Sequence, residues 1–208
     1  MNLRLIVPCT KRKHLPDAEL ALAQLAGSGY QDSQALVAEW WSRALSASQG
    51  RTLPAGRLYR GAQWPLVQAA RQHCPADLHI LSAGLGLLGE HDPVPGYGAT
   101  FSRGADDTVA LPGMTLSQAH PHWWQLLSER RLPGQAGRRT LAELMAAHPD
   151  DGFLVVASPP YLHAIASDLQ GGIQALAEPQ RQLLVITSGE QRGLAPSLVL
   201  RSRAEMRG

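Results

Sequence analysis

Cysteine is scarce in this sequence, and no paired-cysteine motif occurs. Cys9 and Cys74 are the two cysteines in 208 residues, and they stand far apart along the chain. This spacing excludes a disulfide framework and a Cys-x-x-Cys metal or redox site. Residues 1–8 hold about five apolar residues and no cleavage-like pattern, so they do not resemble a secretory signal. We therefore expect free thiols in a cytoplasmic protein.

Long apolar runs and the common nucleotide motifs are also missing. No run approaches the roughly 18 apolar residues that a membrane helix needs, so we expect no membrane partner. Neither a P-loop nor a G-x-S-x-G motif is present. Gly84-x-Gly86-x-x-Gly89 has the letters of a dinucleotide fingerprint, but no helix start follows it. His120 and His122 lack further ligands at metal spacing. We expect no cofactor and no metal.

Lysine is the rarest of the charged residues. Of 19 basic residues, two are lysines, Lys11 and Lys13, and they share the stretch Thr10-Lys11-Arg12-Lys13-His14. Elsewhere the chain uses arginine. Since lysine is a compact donor with a tunable pKa, its retention here indicates that an ammonium group is needed at this place. The alternative is chance clustering on a solvated loop. The net charge of +2 does not by itself indicate nucleic-acid binding.

Short apolar runs alternate with helical patterns along the chain. Four continuous runs, typical of strands buried on both faces, cover residues 3–7, 78–81, 153–157 and 183–186. Helical periodicity covers residues 32–48, 62–74, 117–130, 140–147, 160–169 and 173–177. Alternation of this kind predicts right-handed crossovers. We predict one α/β domain over residues 1–208, with three layers and a central four-stranded parallel sheet flanked by helices.

The predicted strands end in similar chemistry. Small, hydroxyl-bearing or charged residues follow them: Cys9, Thr10 and Lys11; Ser82 and Gly84; Ser158 and Tyr161; Ser188 and Glu190. Open α/β sheets bind ligands outside the carboxyl ends of their strands. We therefore predict a shared crevice lined by these residues. Ordinary turn chemistry is the alternative, since Ser, Gly and Pro dominate turns.

The segment after the second strand is the richest in chemistry. Glu90 and Asp92 flank a histidine in a loop stiffened by two prolines, which can hold a carboxylate near a substrate. Tyr97 and Phe101 add flat surfaces on which a base could stack. The alternative is a surface loop with solvated acids and two core aromatics. We also predict that Arg60, before a helix start, holds a phosphate and that Tyr59 reaches the crevice.

Four motifs together resemble a family of uncharacterised bacterial domains. They are Val7-Pro8-Cys9-Thr10-Lys11-Arg12-Lys13, Leu58-Tyr59-Arg60-Gly61, Ile80-Leu81-Ser82-Ala83-Gly84-Leu85-Gly86-Leu87-Leu88 and Pro95-Gly96-Tyr97-Gly98-Ala99-Thr100-Phe101. These domains resemble the core domain of archaeosine synthase, which is similar in fold to uracil-DNA glycosylases. The resemblance covers residues 3–102 by motif and implies a uracil-DNA glycosylase-like fold.

The resemblance implies two different chemistries. The glycosylase water-activating motif, Gly-Gln-Asp-Pro-Tyr-His, shares Gly, Asp and Pro with residues 89–93, although it normally follows the first strand. The second motif of the glycosylases is weakly similar to the residues around Ser158. In the archaeosine branch a motif lysine attacks a deazaguanine nitrile, and Lys11 or Lys13 would be the equivalent here.

We predict a DNA glycosylase that flips a modified base into the crevice, with DNA as partner and no obligatory protein partner. Asp92, or else Glu90, would orient water or stabilise the sugar cation, while Lys11 is an alternative imine-forming nucleophile. Cys9 is not expected to be a thiol nucleophile, because no base accompanies it. Defence against phage DNA with unusual bases would suit such a domain. The alternatives are a lysine-dependent deazaguanine- or nucleotide-modifying transferase and a non-catalytic nucleotide- or nucleic-acid-binding module.

The remaining predicted contacts are to substrate. Lys13 would hold phosphates beside Lys11 and Arg60, Tyr97 and Phe101 would flank the base, and Ser158 and Ser188 would bond substrate edges or phosphates. This hypothesis requires positions 11, 60, 92, 158 and 188 to converge at one edge of the sheet.

Overall fold

A computed structural model describes residues 2–16, 20–25, 29–188 and 194–201 of the chain. The strands are β1 (Leu3–Pro8), β2 (Leu53–Pro54), β3 (Asp77–Ser82), β4 (Gly86–Gly89), β5 (Pro93–Val94), β6 (Gly152–Val156), β7 (Leu183–Thr187) and β8 (Val199–Arg201). The α-helices are α1 (Ser33–Ser48), α2 (Ala55–Leu58), α3 (Gln63–His73), α4 (Leu116–Ser128), α5 (Leu141–Ala147), α6 (Pro159–Ala164), α7 (Ala166–Ala175) and α8 (Pro179–Gln182). Leu22–Gln24 and Pro196–Leu198 form 3-10 turns.

The central sheet is mixed, with six strands in the order β4-β3-β1-β6-β7-β8. All neighbouring pairs are parallel except β3 with β4, which is antiparallel. The α/β class with flanking helices is confirmed, but the predicted four-stranded parallel sheet is wrong. Its four strands are present side by side, and β4 and β8 extend them at the two edges. A second, two-stranded antiparallel sheet pairs β2 with β5.

The core of the sheet is made by the apolar runs that predicted the strands. Ile6, Val155 and Val185 lie opposite one another on β1, β6 and β7, and each is 0% exposed. Burial of continuous Val, Ile and Leu runs on strands covered by helices is the expected behaviour of a parallel sheet.

Capping residues fix where two of the helices begin. The Asp32 carboxylate accepts a hydrogen bond from the Ala35 amide at 3.1 Å, and α1 follows. Thr140 likewise accepts from the Glu143 amide at 2.9 Å at the start of α5. These Asp and Thr oxygens satisfy amides that have no partner within the helix.

Strand β1 is central, and the chain leaves it first to one side and later to the other. It passes to β3 on one side, and β6 later pairs with the opposite edge of β1. The carboxyl ends of β1 and β6 therefore form the switch point at which open α/β sheets bind ligands. We use the name carboxyl rim for the side of the sheet at which the strands β1, β3, β6 and β7 end. The amino rim is the opposite side, at which these strands begin. Within the described ranges, no helix is long and apolar enough to cross a membrane.

Candidate functional site

The lysine-bearing loop, residues 9–14, follows β1 at the carboxyl rim and is fixed against the segment after α2. The Thr10 hydroxyl bonds the carbonyls of Arg12 (2.9 Å) and Arg60 (2.7 Å). The Arg60 amide donates to the Arg12 carbonyl at 3.0 Å, and the His14 amide to the Leu58 carbonyl at 2.8 Å. Because Thr10 bonds these main-chain carbonyls, it acts as a support of the loop.

Three cationic side chains extend from this fixed backbone to solvent. Lys11, Arg12 and Arg60 are all exposed. None of the three makes an ion pair with any residue of the described ranges. We call these three side chains the cationic triplet. Their charges are uncompensated by the described residues, which favours an anionic ligand. Arg12 was not among the residues predicted for the site, although it lies between the two lysines.

Unlike the exposed triplet, Lys13 is half-buried. Its Nζ atom donates to the carbonyls of Thr10 (3.1 Å) and Lys11 (3.4 Å). The same atom lies 4.2 Å from the centre of the Tyr97 ring and 5.9 Å from that of Tyr59. Lys13 is therefore engaged with the protein itself, and the predicted phosphate contact does not fit this geometry.

Beneath the loop, three hydroxyl groups form a buried chain. The Tyr97 hydroxyl shares hydrogen bonds with those of Ser82 (2.7 Å) and Tyr59 (2.8 Å). The Ser82 oxygen also accepts from the Leu85 amide at 2.9 Å. Burial, reinforced by the neighbouring Cys9 thiol, raises the pKa of Tyr59 and of Tyr97 well above the usual value. These groups are hydrogen-bonded core residues, and we correct the prediction that Tyr59 and Ser82 bind substrate.

The predicted stacking of a base on Tyr97 and Phe101 is also wrong, because both side chains are 0% exposed. The Phe101 ring packs edge-on against Tyr161, with ring centres 5.2 Å apart. The Tyr161 hydroxyl shares a 3.2 Å hydrogen bond with Cys9 Sγ, and both residues are buried. Burial raises the pKa of Tyr161 well above its ordinary value. Cys9 and Tyr161 are therefore buried beneath the carboxyl rim and hydrogen-bonded to each other, which does not fit their predicted contacts to substrate.

Gly84 is needed for packing. A Cβ atom there would lie 2.6 Å from Cδ2 of Tyr97 and 3.0 Å from Cζ2 of Trp40. The carbonyls of this turn are taken by tryptophans, since Trp40 Nε1 donates to Gly84 and Trp123 Nε1 to Ala83, each at 2.7 Å. Gly84 is therefore buried against aromatic side chains, with its amide donating to the Ser82 hydroxyl, and we correct its predicted substrate contact.

The remaining predicted residues of the rim are arranged in strand order. Ser158 is half-buried at the end of β6, beside Cys9 at the end of β1, and Ser188 is exposed one strand further along. Glu190, predicted to bind substrate, lies outside the described residues. Lys11 and Ser158 therefore follow neighbouring strands at the carboxyl rim, and Arg60 is hydrogen-bonded to the lysine-bearing loop.

Glu90 and Asp92 lie at the amino rim, and the predicted convergence with the lysines is wrong. The antiparallel strand β4 carries the chain back along β3, so that the Glu90 amide donates to the carbonyl of Leu78 at 3.1 Å. Ser82, at the other end of β3, is four residues from Leu78, which corresponds to roughly 13 Å at 3.3 Å per residue. The acids are thus separated from the lysine-bearing loop by most of the strand length.

Both carboxylates have structural partners there. Glu90 forms a two-pronged ion pair with Arg71, with both N–O distances at 2.7 Å. Asp92, 7% exposed, accepts hydrogen bonds from the amides of Gly89 (2.8 Å) and Ala136 (3.1 Å). Asp92 therefore ties the loop of residues 131–139 to the end of β4, and neither acid is placed to act on a ligand at the carboxyl rim.

Two further histidine and arginine features of the described residues have structural contacts. In the described ranges, no three His, Cys, Asp or Glu residues are grouped to hold a metal. His120 is buried and packs on Phe101, with ring centres 5.0 Å apart. A separate recess beside Asp92 is lined by Arg130, Arg131 and Arg139. Their guanidinium groups donate to the carbonyls of Leu126 in α4, of Gly137 and of Glu129, respectively.

No family model, curated protein or solved structure matches this chain.

Proposed function

We propose that the chain binds a phosphate-bearing nucleotide or nucleic acid at the carboxyl rim, and that Lys11 is its reacting amine. The observation that carries this proposal is the cationic triplet, Lys11, Arg12 and Arg60. Three adjacent exposed cations without a described counter-ion, at the switch point of a parallel sheet, favour a polyanion. Phosphate oxygens are the acceptors that arginine and lysine bind most readily.

Lysine chemistry is better supported here than carboxylate chemistry. The two predicted acids lie at the other end of β3, whereas Lys11 is exposed on a backbone held by Thr10. A deprotonated lysine amine is a nucleophile. The resemblance to the archaeosine synthase core domain implies addition of that amine across the nitrile of a deazaguanine base. We therefore place a lysine-dependent, base-modifying transferase first.

A DNA glycosylase remains the second candidate, in a lysine-dependent form. The exposed Lys11 amine beside two phosphate-binding arginines would attack C1′ of the sugar while the base departs, leaving an imine. The buried Tyr97 and Phe101 offer no face for a flipped base. This places the glycosylase second.

One set of substrates separates these activities. Labelled DNA and RNA oligonucleotides, with ordinary bases or with a nitrile-bearing deazaguanine, are incubated with wild-type protein, Lys11→Met and Asp92→Asn. A transferase gives a covalent protein–base adduct and an uncut backbone. A glycosylase gives alkali-labile sites and a complex trapped by borohydride. In either case Lys11→Met abolishes the product and Asp92→Asn retains it.

Binding is tested with variants that remove one positive charge each. Lys11→Met and Arg60→Met should each weaken oligonucleotide binding by about 3–10-fold, which corresponds to roughly 1 kcal/mol for one charge-assisted contact. Arg181→Met is the matched control, since Arg181 is highly exposed on α8, next to the start of β7. Equal loss in all three variants, or no loss in the first two, would refute binding at the carboxyl rim.

A further inference from the structure

The two lysines of the chain share one loop but differ in their surroundings. Lys11 is exposed, whereas Lys13 is half-buried with its Nζ atom over the Tyr97 ring. A cation 4.2 Å from an aromatic centre is within the range of a cation–π interaction. The loop therefore contains one ammonium group turned to solvent and one turned to the core.

Lys13 holds the main chain on both sides of the predicted nucleophile. Its ammonium group donates to the carbonyl of Thr10, before Lys11 in sequence, and to the carbonyl of Lys11 itself. An ammonium group has three donors, so two of them fix this part of the backbone. The main chain of Lys13 also pairs with that of Tyr59 in an isolated antiparallel bridge.

The ring under Lys13 is itself fixed. Tyr97 is held by the hydroxyls of Ser82 at the end of β3 and of Tyr59, and the Tyr59 ring packs on Trp64 at 5.3 Å. An unbroken series of contacts therefore runs from the sheet through Tyr97 and Lys13 to the backbone of Lys11.

We infer that Lys13 is a positioning residue, which holds Lys11 in a defined place at the carboxyl rim, and that Lys11 alone offers its amine to the ligand. This inference rests on the proposed function for the part played by Lys11. The placement of Lys13 can be tested without it.

The first test uses acetylation, because the chain contains no lysine besides these two. Folded protein is treated with an N-hydroxysuccinimide acetate, and the rate at each lysine is followed by fragment mass spectrometry. We expect Lys11 to be acetylated at least 10-fold faster than Lys13. In Tyr97→Leu the protection of Lys13 should fall, whereas Tyr97→Phe, which keeps the ring, should retain most of it. Equal rates at the two lysines in wild-type protein would overturn the inference.

The second test compares Lys13→Met with Lys13→Arg on the oligonucleotides described above. Lys13→Met should leave the half-saturating oligonucleotide concentration within 2-fold and lower the single-turnover rate of product formation by about 10-fold, because the phosphate contacts remain while the amine is displaced. Lys13→Arg keeps a donor cation over the ring and should restore most of that rate. A rise in the half-saturating concentration without a fall in the rate would show that Lys13 binds phosphate instead.

The proposed function and the positioning role of Lys13 can be refuted separately. If Lys11→Met and Arg60→Met bind oligonucleotides as wild type does, the proposed function fails even when Lys13 is protected. If Lys13 reacts as fast as Lys11, the positioning role fails even when the oligonucleotide binds. Should Lys13→Met not fold, the acetylation rates in wild-type protein still decide.

Discussion

Buried polar contacts support the carboxyl rim from below. The hydroxyl chain of Ser82, Tyr59 and Tyr97 and the bond from Cys9 to Tyr161 are all below the surface. Buried polar groups cost free energy unless they are paired, so such networks fix one arrangement of the side chains. The exposed triplet is therefore presented on a rigid base.

The contribution of one such contact to stability can be measured at the indole of Trp123. Trp123→Phe removes the donor to the buried carbonyl of Ala83 and leaves that oxygen unpaired. We expect a loss of about 1–3 kcal/mol in the free energy of unfolding, measured in urea. Trp41→Phe is the control, since Trp41 is also buried but makes no indole hydrogen bond within the described residues. Equal losses would assign the effect to side-chain volume.

His79 should make stability depend on pH. Its buried Nε2 atom has no hydrogen-bond partner in the described part of the chain. Burial, with the charge of Arg4 second, lowers its pKa from 6.5 to about 4. The fold therefore favours the neutral ring, and this contribution is complete above pH 6.5 and is lost as the pH falls through 4.

The size of that effect follows from the two pKa values. The difference corresponds to at most about 3 kcal/mol at 1.36 kcal/mol per pKa unit. Urea unfolding between pH 7 and pH 4 should show a smaller loss for His79→Leu than for wild-type protein. His73→Leu, at an exposed histidine that ends α3, should follow wild type. Parallel pH curves for all three proteins would exclude His79 as the source.

Residue types predicted the position of the lysine-bearing loop, but could not predict which way its side chains point. Lys11 and Lys13 follow a strand in the sequence, which places them at its carboxyl end. The cation–π contact of Lys13 depends on Tyr97, more than 80 residues away in the chain. Tyr97 and Phe101 were predicted to stack with a base, but their full burial depends on packing that no local pattern shows.

At the scale of elements, β4 accounts for the largest error in the predicted site. It is a short strand with two leucines between glycines, and it follows β3 after a tight turn in which Gly86 has a φ of +78°. That conformation suits glycine and reverses the chain. The sequence pattern predicted that Glu90 and Asp92 lie in a loop that continues from the carboxyl rim. The chain reversal instead carries both residues to the amino rim.

The other elements were predicted where periodicity extends over many residues. Helix α1 and the four buried strands were found, since each has a continuous apolar face or run. Helices were predicted over residues 160–169 and 173–177, whereas in the structure α6 ends at Ala164 and α7 continues through Gly171 and Gly172, although glycine has a low helix propensity. Gly172 lies against Met145, so tertiary packing outweighs the low propensity.

At Gly96 the backbone lies so close to the backbone of residues 15–16 that any side chain at this position would have to displace one of the two segments. A Cβ atom there would overlap the carbonyl oxygen of Pro16 and lie 2.9 Å from that of Leu15, both of which are backbone atoms. We expect Gly96→Ala to lose about 1–3 kcal/mol of unfolding free energy. It should also speed acetylation of Lys13, because the displaced backbone adjoins the lysine-bearing loop. Gly50→Ala, whose Cβ would meet Ala47 at 3.4 Å, should change stability by less than about 0.5 kcal/mol.

For the whole molecule, the distribution of charge matters more than its total. The net charge is +2, yet three cations without described counter-ions gather at one rim. Elsewhere in the described ranges, Arg4, Arg43 and Arg71 are paired with carboxylates, whereas Arg51, Arg57, Arg103, Arg131 and Arg138 are exposed without an ion pair. The triplet differs from these five because its three cations lie on two segments that are hydrogen-bonded to each other. Composition alone could not show this difference, since it depends on which acids the fold brings beside which bases.

This distribution predicts how binding responds to salt. If the triplet contacts three phosphates, the logarithm of the binding constant should fall with that of the salt concentration with a slope of roughly −2 to −3. Lys11→Met should reduce the slope by about 1, and Arg181→Met should not change it. Fluorescence anisotropy at several potassium chloride concentrations measures this. A slope near zero in wild-type protein would argue against a phosphate ligand.

The confinement of both lysines to one loop has a consequence for the covalent integrity of the fold. A protease that cuts after lysine has its exposed target, Lys11, directly behind β1, the strand between β3 and β6. One cut there would turn an interior strand of the sheet into a separate peptide, retained by main-chain hydrogen bonds and apolar contacts to its two neighbours. Unfolding of the nicked protein would then depend on its concentration.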